Sequence, residues 1–381
     1  MSRPIRVGIT HGDINGVGYE VTLKALADET MTELCTPVIF GYHSIAEKAR
    51  RKFGLEDMRL YKSAGAAQAQ DGRINVVEVS ASAPEIVPGE PTAESGKAAV
   101  AALEMAAEAL ESGEIDVLVT APISKEAVQS DTFRYPGHTE YLEARIGHGS
   151  RSRMILFAGD VRVALVTTHL PISEVAAAIT QENVEAAIES LAASLKKDYA
   201  IPRPRIAVLS LNPHAGDGGL LGSEEKEVIS PAIERCRERG ILSFGPFAAD
   251  GLFGMGDYRH FDGIVAMYHD QGLAPFKTLA GERGVNFTAG LPYVRTSPDH
   301  GTAFGIAWKD QADPTSMREA IYAAIDIFRN RRIFEEASSN PLRKYVTEKP
   351  ERGERQERQP KKDKTEKTDV KEENLNEQTA E

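Results

Sequence analysis

Histidine side chains follow three apolar segments of the chain, at the point where each segment ends. Val163–Thr168 runs into His169, Ile206–Leu211 runs into Asn212-Pro213-His214, and Ile264–Tyr268 runs into His269. A neutral imidazole is a good ligand for zinc and related divalent ions, and three protein ligands with one open position are typical of a catalytic metal site. A histidine after a strand is more often an ordinary loop residue. The pattern alone therefore leaves both a shared metal site and unrelated loop histidines open.

Polar turns elsewhere in the chain could hold an anion. Tyr135–Glu140 is predicted to open a helix, and the first N–H groups and positive dipole end of a helix attract anions. His138 and Thr139 could add donors there, or Thr139 could merely cap the helix. Lys277 and Arg295 are natural partners for phosphate or carboxylate, although a lone basic residue is usually a solvated surface charge.

The turn Thr10–Glu20 concentrates glycine between a predicted strand and a predicted helix. Its glycines do not follow the G-x-G-x-x-G spacing of dinucleotide-binding loops, so the signal for a nucleotide is weak. The alternative is a tight strand-to-helix turn that needs the backbone freedom of glycine.

The segments that would position these residues alternate between apolar runs and amphipathic stretches. Strands are predicted at Ile5–Thr10, Thr36–Gly41, Ile74–Val79, Val117–Thr120, Met154–Ala158, Arg162–Thr167, Arg205–Leu211 and Gly263–Met267. Helices are predicted at Glu20–Ala27, Ile45–Phe53, Ala93–Leu110, Ser173–Ile179, Glu182–Leu195, Ser223–Arg239 and Thr315–Arg331. This alternation predicts an α/β fold with a mostly parallel sheet. In such sheets ligands bind beyond the carboxyl ends of the strands, which is where the candidate residues lie.

Composition limits the class of protein. A chain of 381 residues is long enough for two domains, and its net charge of −12 disfavours general binding to nucleic acid or anionic membranes. The sequence has no apolar run approaching the roughly 18 residues that span a bilayer, and its N-terminus lacks the features of a signal peptide. Two cysteines, Cys35 and Cys236, form no paired motif. These features predict a cytoplasmic enzyme.

The C-terminal segment Val346–Glu381 differs from the rest of the chain. It is dense in charged residues of both signs and has no aromatic residue. Such a segment buries too little apolar area to offset the entropy of ordering, which predicts a disordered tail.

Taken together, the motifs resemble those of the 4-hydroxythreonine-4-phosphate dehydrogenase family. The matching segments are Thr10–Asp13 with Gly16 and Gly18, Thr120–Lys125, Gly137–Leu142, Thr168-His169, Leu211–Gly216, Gly245-Pro246, Ala249-Asp250, Met267–Leu273, Lys277, Gly284–Asn286 and Arg295–Ala303. These segments occur in the same order as in the family and extend over most of the chain. The charged tail lies outside them. Departures from the family's pattern occur at Ile14, Tyr19, Pro298 and Trp308, which leaves a shifted substrate preference open.

The resemblance implies a fold and a division into domains. The fold is α/β and isopropylmalate-dehydrogenase-like, with two α/β/α domains flanking a cleft. The first domain would comprise residues 1–120 plus 272–340. The second, residues 121–271, would carry the metal ligands and the contacts of a homodimer.

The resemblance also implies roles for individual residues. A divalent metal ion (Zn, Mg or Co) would be bound by His169, His214 and His269, with one of these ligands coming from the partner subunit. The substrate would be bound by His138, Thr139, Lys277, Asn286 and Arg295. NAD or NADP would contact the loop that contains His300, Gly301 and Thr302. The candidates for catalysis, by binding the substrate amine, by proton transfer or through positive charge, are Asp250, Asp270 and Lys277.

The implied reaction is an NAD-dependent oxidation of 4-phosphohydroxy-L-threonine at C3, followed by loss of carbon dioxide to give 3-amino-2-oxopropyl phosphate in vitamin B6 biosynthesis. A sister dehydrogenase acting on 4-phospho-D-threonate or 4-phospho-D-erythronate is an alternative that shares the same residues. A zinc-dependent lyase or aldolase acting on a sugar phosphate is a second alternative. A non-catalytic protein that binds metal or phosphate is a third.

Overall fold

A single sheet of 12 strands runs through the computed structural model, which describes residues 3–131 and 133–340. The strands are β1 Ile5–Thr10, β2 Cys35–Gly41, β3 Leu60–Ser63, β4 Ile74–Glu78, β5 Val117–Thr120, β6 Arg153–Ala158, β7 Val161–Leu165, β8 Arg205–Leu209, β9 Leu242–Phe247, β10 Gly263–Ala266, β11 Val285–Ala289 and β12 Val294–Pro298. The α-helices are α1 Gly18–Ala25, α2 Met31–Leu34, α3 His43–Lys52, α4 Ala93–Glu111, α5 His138–Ile146, α6 Ile172–Ala178, α7 Gln181–Lys197, α8 Ser230–Glu238, α9 Ala249–Gly254, α10 His269–Ala280 and α11 Thr315–Ser339.

The order of the strands is β3-β4-β2-β1-β5-β12-β11-β6-β7-β10-β8-β9. Pairing is parallel in both wings of the sheet, whereas the central pairs β12–β11, β11–β6 and β6–β7 are antiparallel. The predicted α/β fold with a mostly parallel sheet is therefore confirmed. Parallel strands need crossover connections, and the intervening helices supply them.

The apolar core lies on both faces of the sheet, because successive side chains along a strand point to opposite faces. In β5, Val117 and Val119 pack into one apolar cluster while Leu118 between them packs into another on the opposite face. The same alternation occurs in β2, where Ile39 and Phe40 face different clusters. Because both faces of these strands are buried under helices, their sequences are continuously apolar rather than alternating.

Strands β3, β9, β11 and β12 and helix α10 were not among the predicted elements. Strand β12 is buried along its whole length although its sequence, Val-Arg-Thr-Ser-Pro, is mostly polar. Helix α10 contains Gly272 and Pro275, which are poor helix formers. Gly272 permits close packing, because a Cβ there would lie within 3 Å of side chains from β7 and β10. Tertiary packing overrides local preference in both places.

The division into residues 1–120 plus 272–340 and residues 121–271 stays a prediction, and the predicted tail over 346–381 lies outside the described residues. Within residues 3–131 and 133–340, no helix is long and apolar enough to cross a bilayer.

A buried ion pair joins α11 to the end of α7. Arg331 Nε lies 2.6 Å from Asp198 Oδ1, and both side chains are almost fully buried. The guanidinium also donates to the carbonyl groups of Leu291 and Pro292, at 3.1 and 3.2 Å. The pair therefore fixes the C-terminal helix against two separate segments beneath it.

Replacing Arg331 by Met should destabilise the protein by about 3 kcal/mol, because the buried carboxylate of Asp198 would lose its counter-charge. Urea unfolding measures the change. Arg329→Met is the matched control on the same helix, because Arg329 is exposed and, within residues 3–131 and 133–340, pairs only with exposed Asp326. It should leave the free energy of unfolding unchanged. Equal stability of the two variants would contradict the role assigned to the buried pair.

Candidate active site at the carboxyl edge of the sheet

Two of the three candidate metal ligands meet at one edge of the sheet. Strands β7, β10 and β8 are parallel neighbours, so their carboxyl ends lie side by side, as predicted. The rings of His169 and His269 have their centroids 6.0 Å apart. Asp270 Oδ1 lies 2.6 Å from His269 Nδ1. A proton held on Nδ1 by this carboxylate leaves Nε2 with a free lone pair, as in carboxylate–histidine–metal arrangements.

His169 is suited to act as a neutral ligand. Burial lowers its pKa, and the nearby positive charge of Lys125 lowers that pKa further. The neutral imidazole, which carries the lone pair that a metal ion needs, is therefore the favoured form near neutral pH.

The third candidate ligand, His214, does not join this pair. Between His214 and Gly218 the backbone is left-handed, with φ of 53° at His214, 53° at Ala215 and 45° at Asp217. This turn places His214 in a separate surface pocket (the His214 pocket) together with Asp250, Tyr268 and Gln271. Among the described residues, no three His, Cys, Asp or Glu side chains converge closely enough to hold a metal ion. Within one chain His214 is therefore apart from His169 and His269, and a metal site that contains all three histidines, one of them from the partner subunit, stays a prediction.

The predicted substrate residues do converge, with the exception of Lys277. They line a cavity of about 240 Å³ (the anion pocket) between β5, α5 and β12. Its polar walls include Thr120, Lys125, His138, Thr139, Glu140, His169, Asn286, Arg295, Ser297 and His300. Three buried polar atoms there, His138 Nε2, Asn286 Oδ1 and His300 Nε2, have no hydrogen-bond partner among the described residues. Such atoms are costly unless a ligand satisfies them.

Arg295 is the main charge of the anion pocket. It is only 3% exposed, and its guanidinium donates to Thr120 Oγ1 at 2.5 and 3.1 Å and to Thr288 Oγ1 at 2.9 Å. Burial lowers the pKa of Arg295 to about 10, so the side chain stays charged at neutral pH. It forms no ion pair with any carboxylate in the described part of the chain. Burial of a cation without an ion-pair partner is costly, so an anionic ligand would stabilise it.

Helix α5 adds donors to the same pocket. It begins at His138, as the sequence suggested, and the N-cap position is Gly137, which has no side chain to cap the helix. Thr139 is therefore not the cap of this helix, and the first N–H groups of α5 remain available to a ligand. Burial, and the nearby Arg295, hold the pKa of His138 well below its usual value, so this ring is neutral.

Lys277 lies in a neighbouring cavity instead. Its Nζ is 3.0 Å from Asp299 Oδ2 and 3.1 Å from the carbonyl oxygen of Asp299. This cavity of about 270 Å³ (the apolar pocket) has a mostly apolar wall surface, to which Val17, Val21, Ala303, Ile306 and Ala312 contribute. Its lining also includes the polar residues Lys277, Glu282, Asp299, His300, Asp313 and Ser316. His300 lines both this cavity and the anion pocket, so the two are adjacent.

Of the predicted cofactor residues, His300 alone forms part of that shared wall. His300 faces both cavities and Gly301 lines the anion pocket, whereas Thr302 lines neither of them. The carbonyl oxygen of Thr302 instead accepts a hydrogen bond from the N–H of Val17 at 3.1 Å.

The glycine-rich turn near the N-terminus packs against backbone. A Cβ at Gly18 would lie 2.0 Å from the carbonyl oxygen of His11, and one at Gly16 would lie 2.8 Å from that of Thr302. Residues 7–20 are all buried. The interpretation as a tight turn that needs glycine is correct, and the turn offers no open loop to a phosphate.

Lys125 and Glu140 were not among the predicted site residues, yet both line the anion pocket. Each lies within a segment that matched the family, Thr120–Lys125 and Gly137–Leu142. Their position in these segments is the signal by which the sequence could have identified both as site residues. Neither side chain has an ion-pair partner in the described part of the chain, so both are free to meet a ligand.

The chain is similar over most of its length to proteins of one known family. The sequence model of the family described as "Pyridoxal phosphate biosynthetic protein PdxA" matches residues 33–324. A 4-hydroxythreonine-4-phosphate dehydrogenase of Bacteroides thetaiotaomicron is 55% identical over 346 residues, covering 91% of this chain and 94% of the relative. A D-threonate 4-phosphate dehydrogenase of Cupriavidus necator is 40% identical over 328 residues, covering 85% and 98%. The crystal structure of a 4-hydroxythreonine-4-phosphate dehydrogenase from Klebsiella pneumoniae has a TM-score of 0.75 at 35% identity, covering 86% of this chain and 99% of that one.

Proposed function

The chain belongs to the PdxA family of pyridoxal phosphate biosynthetic proteins, and on that premise we propose that it is a 4-hydroxythreonine-4-phosphate dehydrogenase of vitamin B6 biosynthesis. It would oxidise the C3 hydroxyl of 4-phosphohydroxy-L-threonine by hydride transfer to NAD or NADP. The resulting β-keto acid would lose carbon dioxide and take up a proton at C2, which gives 3-amino-2-oxopropyl phosphate. The expected site of action is the cytoplasm.

The observation that carries this proposal is the anion pocket. The substrate brings a phosphate and a carboxylate, and the pocket offers the buried charge of Arg295, the charge of Lys125 and the free N–H groups of α5. The unpartnered atoms of His138 and Asn286 would be satisfied by polar groups of the same ligand. Binding would thus offset the cost of burying an uncompensated guanidinium.

The chain's histidines fit a divalent metal ion if two copies contribute to one site. His169 and His269 would be two ligands, with Asp270 orienting His269. His214 of the partner subunit would be the third. When bound, the ion would polarise the C3 oxygen and stabilise the charge that develops on decarboxylation. Three imidazoles suit zinc, while magnesium and cobalt remain candidates.

Exposed apolar side chains support a homodimer. Leu170 and Ile172 follow His169 directly, and Ile172 is 73% exposed. Leu220, in the segment after His214, is 80% exposed, and Met255, at the end of α9, is 81% exposed. Apolar groups at this exposure, next to both halves of an incomplete metal site, are what a second copy would cover. Because Asp250 lines the same pocket as His214, it would enter the shared site from the partner as well.

The apolar pocket is the proposed site of the nicotinamide cofactor. Its apolar wall surface suits the flat faces of nicotinamide or adenine, and His300 lines both this cavity and the anion pocket. Hydride transfer requires the donor carbon and the acceptor ring to be neighbours, which adjacent pockets allow. Lys277 and Asp299 lie at this junction and form an ion pair. Lys277 could exchange that ion pair for a contact with a substrate anion.

The candidates for proton transfer are carboxylates near the histidines. Asp270 is engaged with His269 Nδ1, so its first role is to orient that ring. Asp250 has an exposed carboxylate beside His214 and is the better candidate for binding the substrate amine or taking a proton.

A second candidate function is oxidation of 4-phospho-D-threonate or 4-phospho-D-erythronate. The specific observation in its favour is the relative from Cupriavidus necator that is named a D-threonate 4-phosphate dehydrogenase. The anion pocket would accept the same phosphate, while the amine would be replaced by a hydroxyl. Family membership gives no support to the lyase or aldolase alternative, because the relatives are named as dehydrogenases.

Purified protein supplied with divalent metal and NAD should form NADH with 4-phosphohydroxy-L-threonine and not with 4-phospho-D-erythronate. Absorbance at the NADH band, with both compounds measured side by side, decides between them. Preference for the erythronate would move the assignment to the sister activity. No NADH or NADPH from either compound would contradict the dehydrogenase assignment itself.

A site shared between copies predicts complementation. His169→Ala and His214→Ala should each be inactive alone, since each dimer site would lack one ligand. Co-expressed in equal amounts, they should recover about a quarter of the native turnover, because half of the dimers are mixed and each mixed dimer keeps one intact site. Co-expressed His169→Ala and His269→Ala is the matched control and should stay inactive, since both losses fall on the same half-site. Equal recovery in both mixtures would contradict the shared site.

A further inference from the structure

Trp308 has a backbone conformation that bulky side chains rarely adopt. Its φ is 59°, in the left-handed region, and Ala303 and Asp310 in the same loop have φ of 45° and 60°. A large residue persists there only where its surroundings fix it. The loop of residues 299–310 (the 299–310 loop) carries Ala303 and Ile306 of the apolar pocket. The surroundings that hold Trp308 therefore also hold a wall of that pocket.

The side chain of Trp308 is held by a turn distant in sequence. Its Nε1–H donates to the carbonyl oxygen of Ile14 at 2.9 Å, and the residue is only 8% exposed. The indole also packs against Phe53, with ring centroids 5.7 Å apart.

The turn that accepts this hydrogen bond is itself fixed. Asn15 Oδ1 accepts from the N–H of Val87 at 2.8 Å, and Asn15 Nδ2 donates to the carbonyl oxygen of Glu90 at 2.9 Å. Asp13 accepts from Ser95 Oγ, in the first turn of α4, at 3.1 Å. Residues 13–17 therefore form a rigid support rather than a mobile loop.

The two sides of the apolar pocket meet at this support. Val17, at the end of the turn, lines the pocket, and its N–H donates to the carbonyl oxygen of Thr302 in the 299–310 loop. Trp308 makes the second attachment of that loop to the turn. At its far end, Asp310 pairs with Lys24 of α1 at 2.7 Å. Losing the Trp308 attachment would free the loop between residues 302 and 310.

We propose that Trp308 is a positioning residue for the nicotinamide cofactor: its hydrogen bond to Ile14 fixes the 299–310 loop and so sets the width of the apolar pocket. The proposal rests on the proposed function in one respect, that the cofactor occupies this pocket. Trp308 lies behind the loop and does not line the cavity, so it acts through Ala303 and Ile306. Its loss should weaken cofactor binding while leaving the anion pocket intact.

Trp308→Phe keeps an aromatic ring and removes the N–H donor. Its Kd for NADH, measured by calorimetry, and its KM for NAD should rise about three- to tenfold, the range that follows from loss of one neutral hydrogen bond. Its kcat and its KM for the phosphorylated substrate should stay at the native values. Tyr61→Phe, at the far edge of the sheet on β3, is the control and should change none of these quantities.

Unchanged affinity of Trp308→Phe for NADH would overturn the proposal. An equal loss of substrate affinity would also overturn it, because that result indicates a general structural defect. Native protein that binds neither NADH nor NADPH would refute the cofactor assignment first, and the Trp308 proposal with it.

A measurement on the unaltered protein keeps the proposal testable if Trp308→Phe does not fold. Trp308 is the chain's only tryptophan, so its indole N–H gives one resonance in an NMR spectrum. Hydrogen exchange of that N–H should be slow and should become slower with saturating NADH, because the cofactor would hold the loop in place. An exchange rate that NADH leaves unchanged would overturn the proposal.

Discussion

The positive charge of Arg295 is buried within the sheet, where its guanidinium donates to hydroxyl groups and the charge of Glu140 acts on it from the same pocket. Thr120 of β5 and Thr288 of β11 accept its hydrogen bonds, and no carboxylate of the described residues pairs with it. Burying a charge without an ion-pair partner is costly, and a ligand of opposite charge would offset that cost. The candidate site is built outward from this constraint: β12 carries the arginine, β5 and β11 orient it, and α5 points its first N–H groups into the same cavity.

The remaining parts of the site connect to the anion pocket through shared residues. His169 lines it and also approaches His269, which links anion binding to the proposed metal ion. His300 lines it and also lines the apolar pocket, which links it to the proposed cofactor. A substrate held by Arg295 would therefore lie between a Lewis acid and a hydride acceptor. That arrangement is what oxidation of a secondary alcohol followed by decarboxylation requires.

Sequence reasoning predicted the parts of this site that depend on parallel strands. Buried parallel strands are continuously apolar, so β7, β8 and β10 were visible, and the histidines after them fell at one edge of the sheet. Strand β12 was missed because three of its five residues are polar, so it lacks the continuous apolar run that reveals a buried strand. The spacing of the histidines along the sequence also could not predict the position of His214. The backbone from His214 to Gly218, after β8, is left-handed, and His214 lies in a pocket apart from His169 and His269. Spacing along a strand carries no information about such a turn.

The most direct test of the account is the affinity of Arg295→Met for 4-phosphohydroxy-L-threonine, measured by calorimetry in the presence of divalent metal. The account predicts a loss of about a hundredfold, the effect expected when one member of a buried charge pair is removed. Arg203→Met, which removes an exposed arginine from a pocket in the other wing of the sheet, should bind as the native protein does. Native affinity in a folded Arg295→Met protein would contradict the claim that this buried cation is the anchor of the substrate.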